Sequence, residues 1–164
     1  MRLRLARPGD GMEITAIHAE GLATGHASFR DVPWIWDDWA AAHDPALVAE
    51  RGGIVVGWAG LQPISSRPCY AGVGEVSVYV GAAAQGGGVG RALLSELVAV
   101  SERAGWWTLQ AHLFPENAAS LRLHRACGFR EVGRRARLGR MDYGPMAGRW
   151  RDVLLLERRA TVAG

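Results

Sequence analysis

Gln85-Gly86-Gly87-Gly88-Val89-Gly90-Arg91 is the stretch from which the fold can be read. Before it, Glu75-Val76-Ser77-Val78-Tyr79-Val80 is rich in β-branched and aromatic residues, as a strand requires. After it, Leu93, Leu94, Leu97 and Val98 recur at helical spacing from Val89 to about Ala104, and Gly105 ends the run. The glycines therefore turn the chain from a strand into a helix. They let the main chain approach a ligand closely. The unpaired N–H groups of a helix start, together with the helix dipole, suit an anion such as a pyrophosphate. Arg91 can add charge there. Two nucleotide motifs fail at this turn. A P-loop needs a lysine, and the chain has none; the dinucleotide fingerprint that would start at Gly86 and Gly88 meets Arg91 where its third glycine should stand. What remains is a QxxGxG pattern.

Working outward, Arg2 to Arg7 alternates polar and apolar residues and reads as a first strand. Pro8-Gly9-Asp10 forms a turn with Asp10 as a helix N-cap, and Met12, Ile14, Ile17 and Leu22 stripe the helix that follows. Thr24 to Val32 is irregular. Pro33 can open a second helix bearing Trp34, Ile35, Trp36 and Trp39. Ala46 to Glu50 and Ile54 to Leu61 are strands joined at Arg51-Gly52-Gly53, and Gln62 to Gly72 is a loop. Beyond the central helix, Thr108 to Phe114 is a strand and Asn117 to Ala126 a short helix ended by Gly128. Val153-Leu154-Leu155-Leu156 is a buried last strand. The order is that of a mixed α/β layered domain, with residues 1–164 forming one unit.

A chain of 164 residues can bury a core without disulfides or a structural metal. Cys69 and Cys127 are far apart, form no CxxC pair and have no partners at zinc-like spacing, so both are expected as reduced thiols and no metal is expected. No apolar run approaches the roughly 20 residues of a membrane span, and Met1 to Leu5 leads into no secretory signal. A cytoplasmic location is the expectation. Net charge is +3, all of the basic side chains being arginine. The densest basic stretch is Arg130, Arg134, Arg135, Arg137 and Arg140. Nucleic acid could bind such a patch, but aromatic residues are not interleaved with it. A solvated hairpin, or arginines near an anionic ligand, explains it as well, and no nucleic-acid partner is expected.

Together the glycine turn, continued as Ala92-Leu93-Leu94, and the segment Phe114-Pro115-Glu116-Asn117-Ala118-Ala119-Ser120-Leu121-Arg122-Leu123-His124-Arg125-Ala126-Cys127-Gly128-Phe129 resemble the GNAT superfamily of N-acetyltransferases. Within it, the chain is similar over nearly its whole length to the phosphinothricin, methionine sulfone and methionine sulfoximine acetyltransferases. The matching segments are Ala27-Ser28-Phe29-Arg30, Arg67-Pro68-Cys69-Tyr70, Glu75 to Val80, Leu123-His124 and Gly148-Arg149-Trp150-Arg151-Asp152-Val153. The segment Arg140-Met141-Asp142-Tyr143-Gly144-Pro145-Met146-Ala147-Gly148 departs from the family pattern.

The resemblance implies a central, mostly antiparallel twisted sheet flanked by helices. It also implies acetyl-CoA as co-substrate and direct transfer to the amino group of a small amino-acid-like molecule. Gln85, Gly86, Gly87, Gly88, Val89, Gly90, Arg91, Asn117 and Ser120 would hold the coenzyme, and the main-chain N–H groups of Val78, Tyr79 and Val80 would meet the thioester carbonyl and pantetheine. The family's catalytic carboxylate falls on Glu75. Only a neutral amine attacks a thioester, and a partly desolvated carboxylate can take its proton. His124 stands where the family has a histidine that could serve as acid, serve as base or only border CoA. Phe29, Arg67, Tyr70 and Tyr79 fall at acceptor-binding positions, where an arginine can clamp a carboxylate. A homodimer is expected by the same likeness. The alternatives are acetylation of a protein or peptide amine and a non-catalytic CoA-binding module.

Overall fold

The computed structural model describes residues 1–161, and their chain order is β1 (Arg2–Leu5), α1 (Gly11–Ala23), α2 (Trp36–Ala42), β2 (Ala46–Arg51), β3 (Ile54–Pro63), β4 (Val73–Val80), α3 (Val89–Arg103), β5 (Thr108–Leu113), α4 (Ala118–Ala126), β6 (Arg130–Arg140) and β7 (Trp150–Arg159). The strands form one sheet in the order β1-β2-β3-β4-β5-β7-β6. Every neighbouring pair is antiparallel except β4 and β5. This is the mixed, mostly antiparallel architecture expected.

Each face of the sheet is covered because its strands alternate. Leu47, Ala59, Leu61, Val76, Leu109 and Leu156 meet the Leu93, Leu94 and Leu97 stripe of α3 in the larger core. Val48, Val55 and Trp58 meet Ile14 and Ile17 of α1 and Trp39 of α2 on the other side. Helix periodicity on one partner and strand periodicity on the other thus give two apolar layers around one sheet.

Three local readings shift. Pro33 does not open α2, which begins at Trp36. The Trp34 backbone is held instead by α1: its N–H donates to His18 Nδ1 at 2.9 Å and its carbonyl accepts from Thr15 Oγ1 at 2.8 Å. Burial lowers the His18 pKa to about 4, so the ring is neutral and can accept that bond. Strand β3 runs on to Pro63 and β4 starts at Val73, shortening the expected loop. Finally, Asp10 makes no side-chain cap on α1. Its buried carboxylate turns back to accept from Arg4 at 2.7 and 2.8 Å and from the Arg7 N–H at 2.9 Å. Arg4 also donates to Glu50 at 2.9 Å, so the pair ties β1, β2 and the start of α1 together.

The Arg4 guanidinium holds the Asp10 carboxyl below the usual aspartate range. A carboxylate with a lowered folded-state pKa adds stability above the ordinary aspartate pKa and loses it as pH falls through the lowered value. Asp10→Ala is therefore expected to reduce unfolding free energy near neutral pH by about 3 kcal/mol, because Arg4 loses a buried partner. The variant's stability deficit in denaturant titrations should shrink as the pH falls below 4; a deficit independent of pH would show that the ion pair is not its source.

Candidate active site

Strands β4 and β5 pair over only three positions, Val73↔Thr108, Gly74↔Leu109 and Glu75↔Gln110. Beyond Glu75 they part, although β4 continues to Val80 and β5 to Leu113. A cleft of about 1080 Å³ opens between them. The β3–β4 ladder determines which main-chain groups of β4 face it. Gly81 N–H donates to Val56 O at 3.0 Å across the Gly57↔Val80 pair, so Val80 is a non-hydrogen-bonded pair whose own N–H and C=O point away from β3. Alternation then turns the N–H groups of Val78 and Val80 to the cleft and that of Tyr79 toward β3. The Val80 carbonyl accepts from Gln85 Nε2 at 3.3 Å, which fixes the first residue of the glycine turn against the strand end.

That turn leads directly into α3. Gly86 and Gly88 have φ of 76° and 77°, the left-handed region that favours glycine. The first helical bond runs from Ala92 N–H to Gly88 O at 3.1 Å. The N–H groups of Val89, Gly90 and Arg91 consequently have no helical acceptor, and all three residues line the cleft. At Gly90 the constraint is space: a Cβ would lie 3.2 Å from Leu123 of α4 and 3.5 Å from Val80. Gly87 is the member of the turn that faces away. Its carbonyl accepts from Arg51 at 3.0 Å, and it does not border the cleft.

At the point of divergence, Glu75 Oε2 lies 2.9 Å from His112 Nδ1. Both side chains line the cleft and are partly exposed to it. An ionised carboxylate only accepts, so this bond assigns the proton to His112 Nδ1. Tyr79, on the same face of β4 as Glu75, also lines the cleft. Its ring stacks on Trp58 at 4.7 Å and meets His18 edge-on at 4.8 Å. Desolvation raises its phenol pKa well above the ordinary range.

Helix α4 forms the opposite wall. Asn117 caps it, Oδ1 accepting from Ser120 N–H at 3.1 Å, and both residues border the cleft. His124 is buried, with Nδ1 donating to Ser120 O at 2.8 Å and the ring edge-on to Phe129 at 5.1 Å. Burial lowers its pKa. In this neutral tautomer Nε2 carries a lone pair, and it has no partner among the described residues. His124 can accept a hydrogen bond there, but it has no proton on that atom to give.

A roof covers the cleft from Thr24 to Phe29, and Arg151 of β7 anchors it. The Arg151 side chain is fully buried, donating to Gly25 O at 2.6 Å and to His26 Nδ1 at 2.9 Å. It reaches Glu116 at 3.3 Å, with its guanidinium carbon 3.9 Å from the centre of the Phe114 ring. Asn117 Nδ2 donates to His26 O at 3.2 Å and Tyr143 OH to Ser28 O at 2.7 Å. Phe29 packs edge-on against Phe114 at 4.9 Å, in the satellite core of Phe114, Met141 and Val153. The segment 140–148, which departs from the family pattern, thus supports the roof through Met141, Tyr143 and Met146.

Most of the residues expected to act lie together: Glu75, Val78, Tyr79, Val80, Gln85, Gly86, Gly88, Val89, Gly90, Arg91, Asn117, Ser120, His124 and Phe29 all border one cleft. Arg67 and Tyr70 do not. They are exposed on the turn that leads into β4, outside the lining. Two arginines of the dense stretch form ion pairs across to β7, Arg130 with Glu157 and Arg134 with Asp152. Arg135 lines the cleft. His26, His112, Glu116 and Arg151 were absent from the expectation. Arg151 shares a face of β7 with the buried Val153, so an arginine at an inward position was the available signal; His112 had none without the β4–β5 register.

A family model described as the acetyltransferase (GNAT) family matches residues 15–129. The chain is 39% identical to a phosphinothricin N-acetyltransferase of Alcaligenes faecalis, over 95% of this chain and 81% of that one. It is 32% identical to an L-methionine sulfoximine/L-methionine sulfone acetyltransferase of Salmonella typhimurium, over 96% and 93%. Its fold matches the crystal structure of a GNAT superfamily phosphinothricin acetyltransferase from Sinorhizobium meliloti in complex with acetyl-CoA, with a TM-score of 0.86 and 30% identity over 99% of this chain and 91% of that one.

Arg151→Met keeps much of the buried stem but removes every bond from Arg151 to the roof. Local opening of residues 25–29 should become ~10-fold more frequent or more, read as faster amide hydrogen exchange there with core strands unaffected. Unchanged exchange would mean that the roof is held without the arginine.

Proposed function

Because the chain belongs to the GNAT acetyltransferase family, we propose that it moves the acetyl group of acetyl-CoA to the amino group of a small amino-acid-like molecule of the phosphinothricin, methionine sulfone or methionine sulfoximine type. The observation that carries this reading is the β4–β5 divergence. It places the Glu75 carboxylate at the base of a cleft whose two rims are free main-chain N–H groups, those of Val78 and Val80 on one side and of the α3 start on the other.

The residues present suit acetyl-CoA. The left-handed glycines and the free N–H groups of Val89, Gly90 and Arg91 form a cradle for a diphosphate. Val78 and Val80 offer donors along the strand edge for the pantetheine and for the thioester oxygen as it gains charge. Acetyl-CoA supplies the activated acetyl group; the chain orients it and manages the protons. The dyad of Glu75 and His112 provides the basicity that frees the amine for attack. His124, neutral and proton-poor at Nε2, is read as a wall of the CoA channel that accepts a bond. Neither Cys69 nor Cys127 borders the cleft, which supports direct transfer without an acyl-enzyme.

The pinned roof favours a small acceptor over a polypeptide. Phe29 and Tyr79 flank the acceptor end, and their rings suit an apolar stem between two polar groups. Free-thiol release with acetyl-CoA should be seen on phosphinothricin, L-methionine sulfone or L-methionine sulfoximine, and turnover confined to peptide N-termini would overturn the acceptor class.

Two variants test the site itself. Glu75→Gln should lower kcat ~10²–10³-fold with CoA binding retained. Gly88→Val forces a β-branched residue into the left-handed region, and the strain of about 1–2 kcal/mol should weaken CoA binding ~10-fold by calorimetry. Wild-type affinity in that variant would remove the turn from the coenzyme site.

A further inference from the structure

We propose that His112 is the group that takes the proton from the acceptor amine, with Glu75 acting as the carboxylate that orients it. This rests on the acetyl-transfer reading above and assigns its base to a different atom. Glu75 and Gln110 sit side by side where β4 and β5 are still paired. Two residues further along β5, His112 projects on the same face as Gln110, the first position on that face after the strands have parted. It therefore reaches back to Glu75 with Nδ1, at 2.9 Å, while the ring borders the open cleft.

The tautomer follows from donor chemistry. The carboxylate accepts from Nδ1–H, so Nε2 holds the lone pair. No hydrogen-bond partner occupies Nε2 among the described residues; the Nε2 atoms of His43 and His124 are also unpartnered but belong to buried rings, whereas the His112 ring is partly exposed and lines the cleft. A carboxylate on one ring nitrogen and a free lone pair on the other is the arrangement by which an acid residue orients a histidine base and stabilises the imidazolium it becomes. The other titratable or charged groups lining the cleft are Glu75 and Tyr79 from β4, His26 from the roof, Glu116 before α4, Arg122 and His124 on α4, Arg91 on α3 and Arg135 on β6. Of these, only Glu75 is bonded to His112.

His112 Nε2 takes one proton from the substrate ammonium and later passes it to solvent. The freed amine nitrogen forms a bond to the acetyl carbonyl carbon, and the carbon–sulfur bond breaks. The nitrogen sheds its second proton, which ends on the CoA sulfur. The products are the acetamide and free CoA.

The test measures thiol release from acetyl-CoA with L-methionine sulfone as the acceptor, across pH, for the full chain and three variants. His112→Gln should lower kcat/KM ~10²–10³-fold and abolish the acid limb of its pH profile. His112→Ala should recover activity when free imidazole is added, a response that a merely structural histidine would not give. Glu75→Gln should lower kcat/KM but keep the acid limb, because the base itself remains in place. The opposite pattern, a limb that survives His112→Gln and vanishes in Glu75→Gln, would make Glu75 the base and overturn the proposal. Nitrogen-15 NMR of the wild type offers a check independent of variant folding: a proton resident on Nε2 rather than Nδ1 of neutral His112 would also overturn it. If the wild type releases no thiol with any amine, the acetyl-transfer reading falls and takes the base with it; a working wild type with the wrong limb removes the base alone.

Discussion

Only three residue pairs join β4 to β5 before the strands separate, and the chemistry of the cleft depends on that brief contact. In a continuous sheet the N–H groups of β4 would be consumed by the neighbouring ladder. Here one side of β4 is paired with β3 along its length, and the other is released after Glu75. The sheet keeps its integrity because β5 is held instead by β7, from Thr108 to Leu113. The opening costs main-chain hydrogen bonds, and those unpaired groups become available to a ligand. The α3 start repeats the principle at the far end of β4, where helix geometry leaves N–H groups without acceptors.

The edges of the opening are held by different means. Gly90 lets Leu123 of α4 come close to α3 and Val80, so the two helices that frame the cleft meet over the end of β4. On the opposite face, the roof has almost no regular structure and is tied down by side chains from three places: Arg151, Asn117 and Tyr143. Arg151 is a buried cation with Nε left without a partner among the described residues, which by itself would disfavour the folded state. Its two carbonyl and imidazole acceptors, the nearby Glu116 and the face of Phe114 offset that cost. Such a residue does more to define where the roof lies than to add stability.

Local features were legible in the sequence and long-range ones were not. The glycine turn, the α3 stripe, the short helix α4 and the Gly128 stop each depend on residues within about one or two helical turns of one another, and the structure has them in place. Trp34 looked helical because Pro33 precedes it, but Thr15 and His18 claim its backbone from a different helix. Asp10 looked like a cap because of its place before α1, whereas its carboxylate answers to Arg4 on β1. His112 drew no attention as one histidine in a strand; its meaning depends on the register of two strands separated by α3. Arg67 and Tyr70 were assigned by likeness to a family, and the fold of this chain leaves them outside the cleft.

That difference explains why Glu75 was easier to find than its partner His112. A glutamate ahead of a β-branched strand and a glycine turn stands out by position. Its hydrogen-bond partner, however, is supplied by β5. At the parallel junction a β4 side chain and a β5 side chain share a face, touch, and still look into open space. One residue earlier on β5 the side chain would face the α3 core with Ala111; two earlier it would be Gln110, inside the paired region and level with Glu75. A ring at position 112 is close enough to bond the carboxylate and far enough along to present its other nitrogen to the cleft. The same divergence that turns the N–H groups of Val78 and Val80 to the cleft therefore also lets a carboxylate on β4 hold an imidazole on β5 at the cleft's edge.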